Sequence, residues 1–385
     1  MSKKPLKIVY LTPALYMAGG VERVLTLKAS YLAERLGYDV TIVVTEGEGK
    51  PLFYPLSGKV AVVHLAIGFE RLWSCTFFEK IPVYLVKQWR YRRRLTRLLC
   101  ELKPDVTVSL LRREINFLCD IKDGSKKVGE LHVNRANYRN FEANDTNLVK
   151  RLFARYWMHS LVSHLKRLDR FVVLTEEDRA SWTELGRVDV IPDPLSFEPT
   201  RQSRQTIKRV VAVGRYVYQK GFDLLLRAWA RVEGKMPEWE LCIYGDGDRT
   251  PYEQLRQELG LDEGRCHLNG KTQDVEQVYA ESSLFVFSSR FEGFGMVLVE
   301  AMSCGLPVVS FDCPCGPKDI VSDGEDGLLI EHGHADKLAD GLLRLMSDDG
   351  LRRQMAVAAR VHAGRYRLER IGEKWQKLFE EVTER

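Results

Sequence analysis

Several signals that mark specialised chains are missing from this sequence. No charge-free stretch approaches the ~18 apolar residues that a membrane-spanning helix needs. Val9–Leu11 is too short an apolar run for the core of a secretory signal. The eight cysteines include no C-x-x-C pair, and Cys313-x-Cys315 lacks a His or Cys partner at the spacing of a zinc site. Reduced, mostly buried thiols on the synthesis side of a membrane are therefore expected. The glycines do not form the G-x-G-x-x-G dinucleotide pattern, and no acidic residue stands at the matching ribose position. Repeats, low-complexity tracts and zinc-finger or RNP-type signatures are also lacking. What remains is ordinary globular composition over 385 residues, 45% hydrophobic and 29% charged, enough for two or three domains.

Charge is distributed unevenly along that length. Residues 1–190 carry 32 Lys and Arg against 21 Asp and Glu, whereas residues 191–385 carry 26 against 32. A net +11 beside a net −6 points to two domains with different partners. The densest basic run is Lys87–Arg97, interleaved with Leu85, Trp89, Leu95, Leu98 and Leu99. Three readings are open for it: a helix on an anionic membrane surface, a solvated helix packed on its own sheet, or a nucleic-acid contact. With no nucleic-acid signature elsewhere, the third is the weakest.

Alternation of short apolar runs with helical patterns predicts an α/β chain. Strands are expected at Lys7–Thr12, Asp39–Thr45, Val60–Leu65, Val106–Leu110, Lys127–Leu131 and Arg170–Leu174. Ile191-Pro192-Asp193-Pro194 breaks the pattern, and the polar residues 198–207 read as a linker. A second series has strands at Arg209–Val213, Leu241–Tyr244, Cys266–Leu268, Leu284–Ser288 and Pro307–Phe311. Its helices fall near Phe222–Val232, Tyr252–Leu259, Val275–Ala280 and Met296–Ser303. Two such series predict two doubly wound parallel-sheet domains facing across a cleft. The first is expected over 1–195, joined by a terminal helix within 366–385, and the second over 196–365.

Chemistry concentrates in two strand-to-helix turns of the second series. In Ser288–Ala301, a Gly-rich turn aims the backbone N–H groups of Gly293, Phe294 and Gly295 at the crevice beyond the strand ends, where phosphates bind well. Glu292 and Glu300 flank the helix start. Each carboxylate accepts two hydroxyls, which suits a polyhydroxylated ligand; the bland reading is a helix cap and a surface charge. In Val213–Gly221, Arg215 and Lys220 can converge on a diphosphate, one as a planar fork and one as a point charge. In the first series, Gly19-Gly20 closes the first turn, and its backbone suits close approach to a phosphate. His132 follows a strand and is positioned to present a ring nitrogen to a substrate.

E-G-F-G-x4-E (Glu292–Glu300), preceded by V-G-R-x4-K-G and by G-G-x-E-R at residues 19–23, resembles the GT-B glycosyltransferases of family 4. The likeness extends over nearly the whole chain and includes Pro307–Pro317 and Asp323–Ile330. It implies transfer of a sugar from a nucleotide-sugar with retention, without metal or cofactor. Residue by residue, it implies that Arg215 and Lys220 hold the diphosphate, Glu292 the donor sugar and Glu300 the ribose. Gly20, Gly293, Phe294 and Gly295 would approach the donor, and His132 would lie near the reacting centre. Asp193 departs from the family's usual Asn at a hinge. Members with a similar F-D-C-P-C-G-P stretch use UDP-linked hexoses or N-acetylhexosamines to build lipid-linked or cell-surface glycans. That implies a cytoplasmic enzyme, peripheral on the inner membrane, acting on a glycan or lipid-linked acceptor. A nucleotide-sugar 2-epimerase on the same fold is the alternative, and a non-catalytic sugar-binding protein is the reading from another class.

Overall fold

The computed structural model describes residues 4–74, 76–140 and 148–384. Two compact units divide the chain: Met1–Pro194 with Leu368–Arg385, and Leu195–Arg367.

Unit 1 holds a seven-stranded parallel sheet. Its strands are β1 (Lys7–Thr12), β2 (Asp39–Val44), β3 (Ala61–His64), β4 (Val106–Ser109), β5 (Lys126–Glu130), β6 (Arg170–Val173) and β7 (Val188–Val190). The spatial order is β3-β2-β1-β4-β5-β6-β7. Strands buried on both faces read as continuous apolar runs, which is why Ile8–Leu11 and Val40–Val44 were legible as strands. Helices α1 (Gly20–Glu34), α2 (Phe77–Leu102), α3 (Leu148–Leu165) and α4 (Glu176–Ser181) connect them. Thr76 and Glu79 form a capping box at the start of α2, and Lys103 ends it in the left-handed region. Tyr91, Leu95 and Leu99, at helical spacing, bury one face of α2 against Val9, Leu11 and Phe117. The chain returns to this unit through helix Leu368–Val382, which packs on α1. A Cβ at Gly372 would lie 2.1 Å from the Tyr31 ring, so only glycine allows this approach.

Unit 2 holds a six-stranded parallel sheet in the order β10-β9-β8-β11-β12-β13. The strands are β8 (Arg209–Val213), β9 (Glu240–Tyr244), β10 (Cys266–Asn269), β11 (Leu284–Phe287), β12 (Val308–Phe311) and β13 (Gly327–Ile330). Between and after them run α5 (Phe222–Val232), α6 (Thr250–Glu258), α7 (Val275–Ala280), α8 (Met296–Ser303), α9 (Pro317–Ile320), α10 (Ala335–Ser347) and α11 (Asp349–Ala363). Phe222, Leu225, Leu226, Trp229 and Val232 bury one face of α5 on the sheet. Each fully buried side chain of this kind contributes about 1.5–3 kcal/mol.

One organisational expectation is corrected. Residues 198–207 are not a linker but part of unit 2. Glu276 accepts the N–H groups of Thr200 and Arg201, Ser203 N–H donates to Cys304 C=O (2.9 Å), and Gln205 is buried against Gly305 C=O (2.9 Å). A polar segment lacks apolar anchors, but its hydrogen bonds tie it down as firmly. Cys242, Cys266, Cys304, Cys313 and Cys315 are buried, Cys100 is exposed, and Cys75 lies outside the described residues.

Candidate active site

In an open α/β sheet, ligands bind beyond the strand ends where the order reverses. In unit 2 that point lies between the neighbours β8 and β11. The two chemically loaded turns are the ones that follow these two strands.

The β8 turn runs from Gly214 to Gly221, with a single tight turn over Tyr218–Lys220. Gly221 adopts φ +62°, and a Cβ there would meet Ser288 C=O at 2.1 Å, so the two turns touch through it. Further hydrogen bonds lace them together. Arg290 N–H donates to Gln219 C=O (2.7 Å), Ser288 Oγ to Lys220 C=O (2.9 Å) and Gln219 Nε2 to Phe291 C=O (3.0 Å). Arg290 makes a two-pronged pair with Asp223 (2.8 and 2.7 Å) and stacks on Tyr218, its Cζ 4.0 Å from the ring centre.

Lys220 lays its aliphatic stem against Gly214 and reaches Glu292, with Nζ 2.6 Å from Oε1. The side chains are 15% and 9% exposed, so the pair is reachable yet screened from bulk water. Arg215 is exposed one residue beyond Gly214. On the other turn, Gly295 takes φ +103° and leads into α8, and Leu298 N–H donates to Gly295 C=O (2.9 Å). Gly293 is half-buried. Phe294 is buried against Tyr366, with ring centroids 5.4 Å apart, so its side chain belongs to the core and only its backbone is available to a ligand.

Glu300 is a buried carboxylate rather than a surface charge. Its Oε1 accepts from Ser196 Oγ at 2.5 Å and its Oε2 from Tyr279 OH at 3.2 Å. Sequence reasoning missed Ser196, Tyr279 and Gln219. The first two lie far from Glu300 in sequence, and only the fold brings them together. Gln219 sits inside the Arg215–Lys220 motif, where an uncharged residue between two cations carries no signal of its own.

In unit 1, Gly20 is exposed at the first residue of α1. His132 lies just past β5 in a buried charge cluster. Its Nε2 is 3.2 Å from Glu130 Oε1 and its Nδ1 is 3.2 Å from Asp193 Oδ1, both contacts lying off a straight N–H direction. Lys28 of α1 donates to both oxygens of Glu130, and its ammonium lies 4.0 Å from the Trp375 ring centre on the returning helix. Burial opposes the charged imidazole, but Asp193 and Glu130 overcome it and push His132 up to about 9. Burial likewise opposes the Glu130 carboxylate, but Lys28 and His132 hold it at about 2. Both ring nitrogens face carboxylates. Through these contacts the ring ties Asp193 to β5. The departure from Asn at position 193 thus supplies the second carboxylate for a cationic histidine.

The basic helix is α2. Ile81, Leu85 and Trp89 are exposed at four-residue spacing, with Val86 beside them, and Arg93 and Arg97 continue the same line. Arg93 lies over the Trp89 ring. Other members of the run are tied to groups of the protein itself. Lys87 donates to Ile67 C=O and Gly68 C=O (2.8 and 2.7 Å), Arg94 caps Leu65 C=O and Ala66 C=O, and Arg92 pairs with Asp120 (3.5 Å). No described helix is long and apolar enough to cross a membrane.

Known proteins resemble this chain over its length. An uncharacterised glycosyltransferase of Haemophilus influenzae is 27% identical over 97% of this chain and 99% of its own. The amylovoran biosynthesis glycosyltransferase AmsD of Erwinia amylovora is 26% identical over 97% and 99%. The crystal structure of an S. aureus TarM mutant in complex with fondaparinux, alpha-GlcNAc-glycerol and UDP superposes with a TM-score of 0.74 at 17% identity, covering 97% and 99%. The fold is GT-B, and residues 197–362, which carry both turns, match the family model described as glycosyl transferases group 1.

Proposed function

We propose that this protein is a retaining glycosyltransferase. It moves a hexose or N-acetylhexosamine from a nucleotide-sugar, UDP-linked, to a glycan or lipid-linked acceptor in cell-surface polysaccharide synthesis. The observation that carries the proposal is the pair of interlocked turns at the β8/β11 switch point, with Lys220 held at 2.6 Å by Glu292 inside the segment that matches the group 1 model. Lys220 and Arg215 stabilise the diphosphate as the bond from the anomeric carbon to the leaving phosphate oxygen breaks, in place of a metal. Glu300, fixed by Ser196 and Tyr279, accepts from the ribose hydroxyls, and Glu292 faces the donor sugar. The amides of Gly293–Gly295 approach the donor. The relatives' names favour transfer over 2-epimerisation. No cofactor takes part.

The exposed stripe Ile81–Leu85–Trp89, continued by Arg93 and Arg97 and flanked by Arg90, suits the surface of an anionic bilayer on the cytoplasmic side, where a lipid-linked acceptor is found.

A donor screen by UDP release, with membrane lipid extract as acceptor, tests the proposal. Transfer that persists in EDTA is expected. Glu300→Gln raises KM for the donor and weakens UDP binding. Glu292→Gln leaves UDP affinity near wild type and lowers kcat. Epimerised donor without acceptor, or equal loss of UDP binding in both variants, overturns the assignment.

A further inference from the structure

A second set of groups lies on the sheet of unit 2, apart from Arg215, Lys220, Glu292 and Glu300. In the parallel register, Arg209 pairs with Glu240, and Cys242 with His267. Alternation puts Arg209, Glu240, Cys242 and His267 on one face of β8, β9 and β10. Val210, Leu241, Ile243, Cys266 and Leu268 fill the core on the other. A core-type sheet face would repeat apolar residues here; this one carries a carboxylate, a thiol and an imidazole.

We propose that Glu240, Cys242 and His267 form a Zn²⁺ site that fastens the edge strand β10 to β9. A ligand oxygen of Glu240, the thiol sulfur of Cys242 and a ring nitrogen of His267 all lie within 4.8 Å of one another. His267 Nε2 and Glu240 Oε2 are 3.3 Å apart. With Zn–N and Zn–O bonds of about 2.0–2.2 Å, the edge of a tetrahedron is about 3.4 Å, so these two ligands already sit at coordination spacing. Closing on the sulfur takes rotation of the Glu240 and His267 side chains. They are 28% and 33% exposed, which also leaves an entry path, whereas the Cys242 residue is buried.

The donor set selects the metal. A thiolate and an imidazole with one carboxylate suit Zn²⁺ and its tetrahedral relatives, while Mg²⁺ and Ca²⁺ require oxygen alone. Three protein ligands leave a fourth position to water. Arg209 Nε holds the other oxygen of Glu240 at 2.6 Å and so orients the ligand, and Glu281 lies 3.6 Å from its NH1. With a thiolate, the charges of Glu240, Cys242, Glu281 and Arg209 sum to the counter-charge of a divalent cation. Binding displaces the proton of a thiol that burial pushes up to about 11. The cysteine spacing did not reveal this site because its ligands come from adjacent strands.

The test is a titration of the metal-stripped full chain with Co²⁺ and then Zn²⁺. One equivalent of Co²⁺ should give a thiolate-to-metal charge-transfer band and the intense visible bands of a tetrahedral site, and Zn²⁺ should displace it. Cys242→Ser and His267→Ala abolish the spectrum, Cys313→Ser keeps it, and Arg209→Gln weakens affinity about 10–100-fold. Zn²⁺ should also slow amide hydrogen exchange in Cys266–Asn269. His267 is a third exposed, so His267→Ala folds even if the buried Cys242→Ser does not. A wild-type chain without the spectrum, or an unchanged spectrum in His267→Ala, overturns the proposal. UDP release plays no part in this readout, so the two proposals fail separately.

Discussion

Each unit contains a lysine paired with a glutamate, and the two pairs differ in what surrounds them. Lys28 and Glu130 in unit 1 are each 2% exposed, and the ammonium is closed in by Tyr10 and Trp375. His132 and Asp193 complete a set of two cations and two anions that satisfy one another. Lys220 and Glu292 in unit 2 are 15% and 9% exposed, and the lysine reaches its partner along the open side of Gly214. In the sealed cluster the charges satisfy one another and join α1, β5 and Asp193. A partly open pair can exchange one partner for an incoming phosphate. The same residue types thus differ in their access to solvent.

The largest effect expected from breaking this contrast is on the stability of unit 1. Glu130→Gln leaves Lys28 buried without its counter-charge, at a cost of about 3–5 kcal/mol. Chemical denaturation should show a lower midpoint, and an unchanged one would mean that the cluster carries no stability. Alkaline titration comes next. The folded value of His132 is raised from 6.5 to about 9, so its contribution is fully present below pH 6.5 and is lost as pH rises through 9. It amounts to on the order of 3 kcal/mol. His132→Gln should flatten that alkaline slope in a denaturation series from pH 6 to 10.

In the open pair, Lys220→Ala should lower kcat about 10²-fold, near 2.7 kcal/mol, without moving the denaturation midpoint comparably. Near-normal turnover would remove Lys220 from the diphosphate. Smallest per residue is the effect on the surface of α2. Replacing Arg90, Arg93 and Arg97 with Ser should weaken flotation with anionic vesicles by about 1 kcal/mol per residue, more at low salt, and spare activity on a soluble acceptor. Arg92 and Arg94 are poor targets, because each is bound to the protein. A wild type that does not float with anionic vesicles at low salt would make the stripe structural only.

Much of the fold was legible in the sequence. Lys7–Thr12 and Arg209–Val213 match their observed strands end to end, as do the helices Phe222–Val232, Val275–Ala280 and Met296–Ser303. Buried parallel strands and amphipathic helices impose strong periodicity. β7 and β13 were missed as strands: V-D-V is short and half-buried, and G-L-L-I follows a turn-rich segment. The Lys220 and Glu292 turns were visible because glycines and charges cluster locally. The partners of Glu300 and the cluster around Lys28 were not, since each contact joins residues on separate elements. A trace of the cluster was present: Lys28 interrupts the buried series Val24, Leu25, Ala29 and Leu32. A charge on an apolar face requires a partner, but the sequence around it does not say which.

The returning helix has a consequence for how the protein is made. Unit 1 begins at the first strand but is finished by Leu368–Val382, so the whole of unit 2 leaves the ribosome in between. At roughly 5–20 residues per second, that leaves a wait on the order of ten to thirty seconds. During it Lys28 lacks the Trp375 ring, and the α1 surface around Tyr31 is bare. Unit 2 completes its own sheet before unit 1 can close. The nascent chain therefore carries a finished second domain beside an open first one, and the interval before Trp375 arrives is when exposed α1 is most open to chaperones and to aggregation.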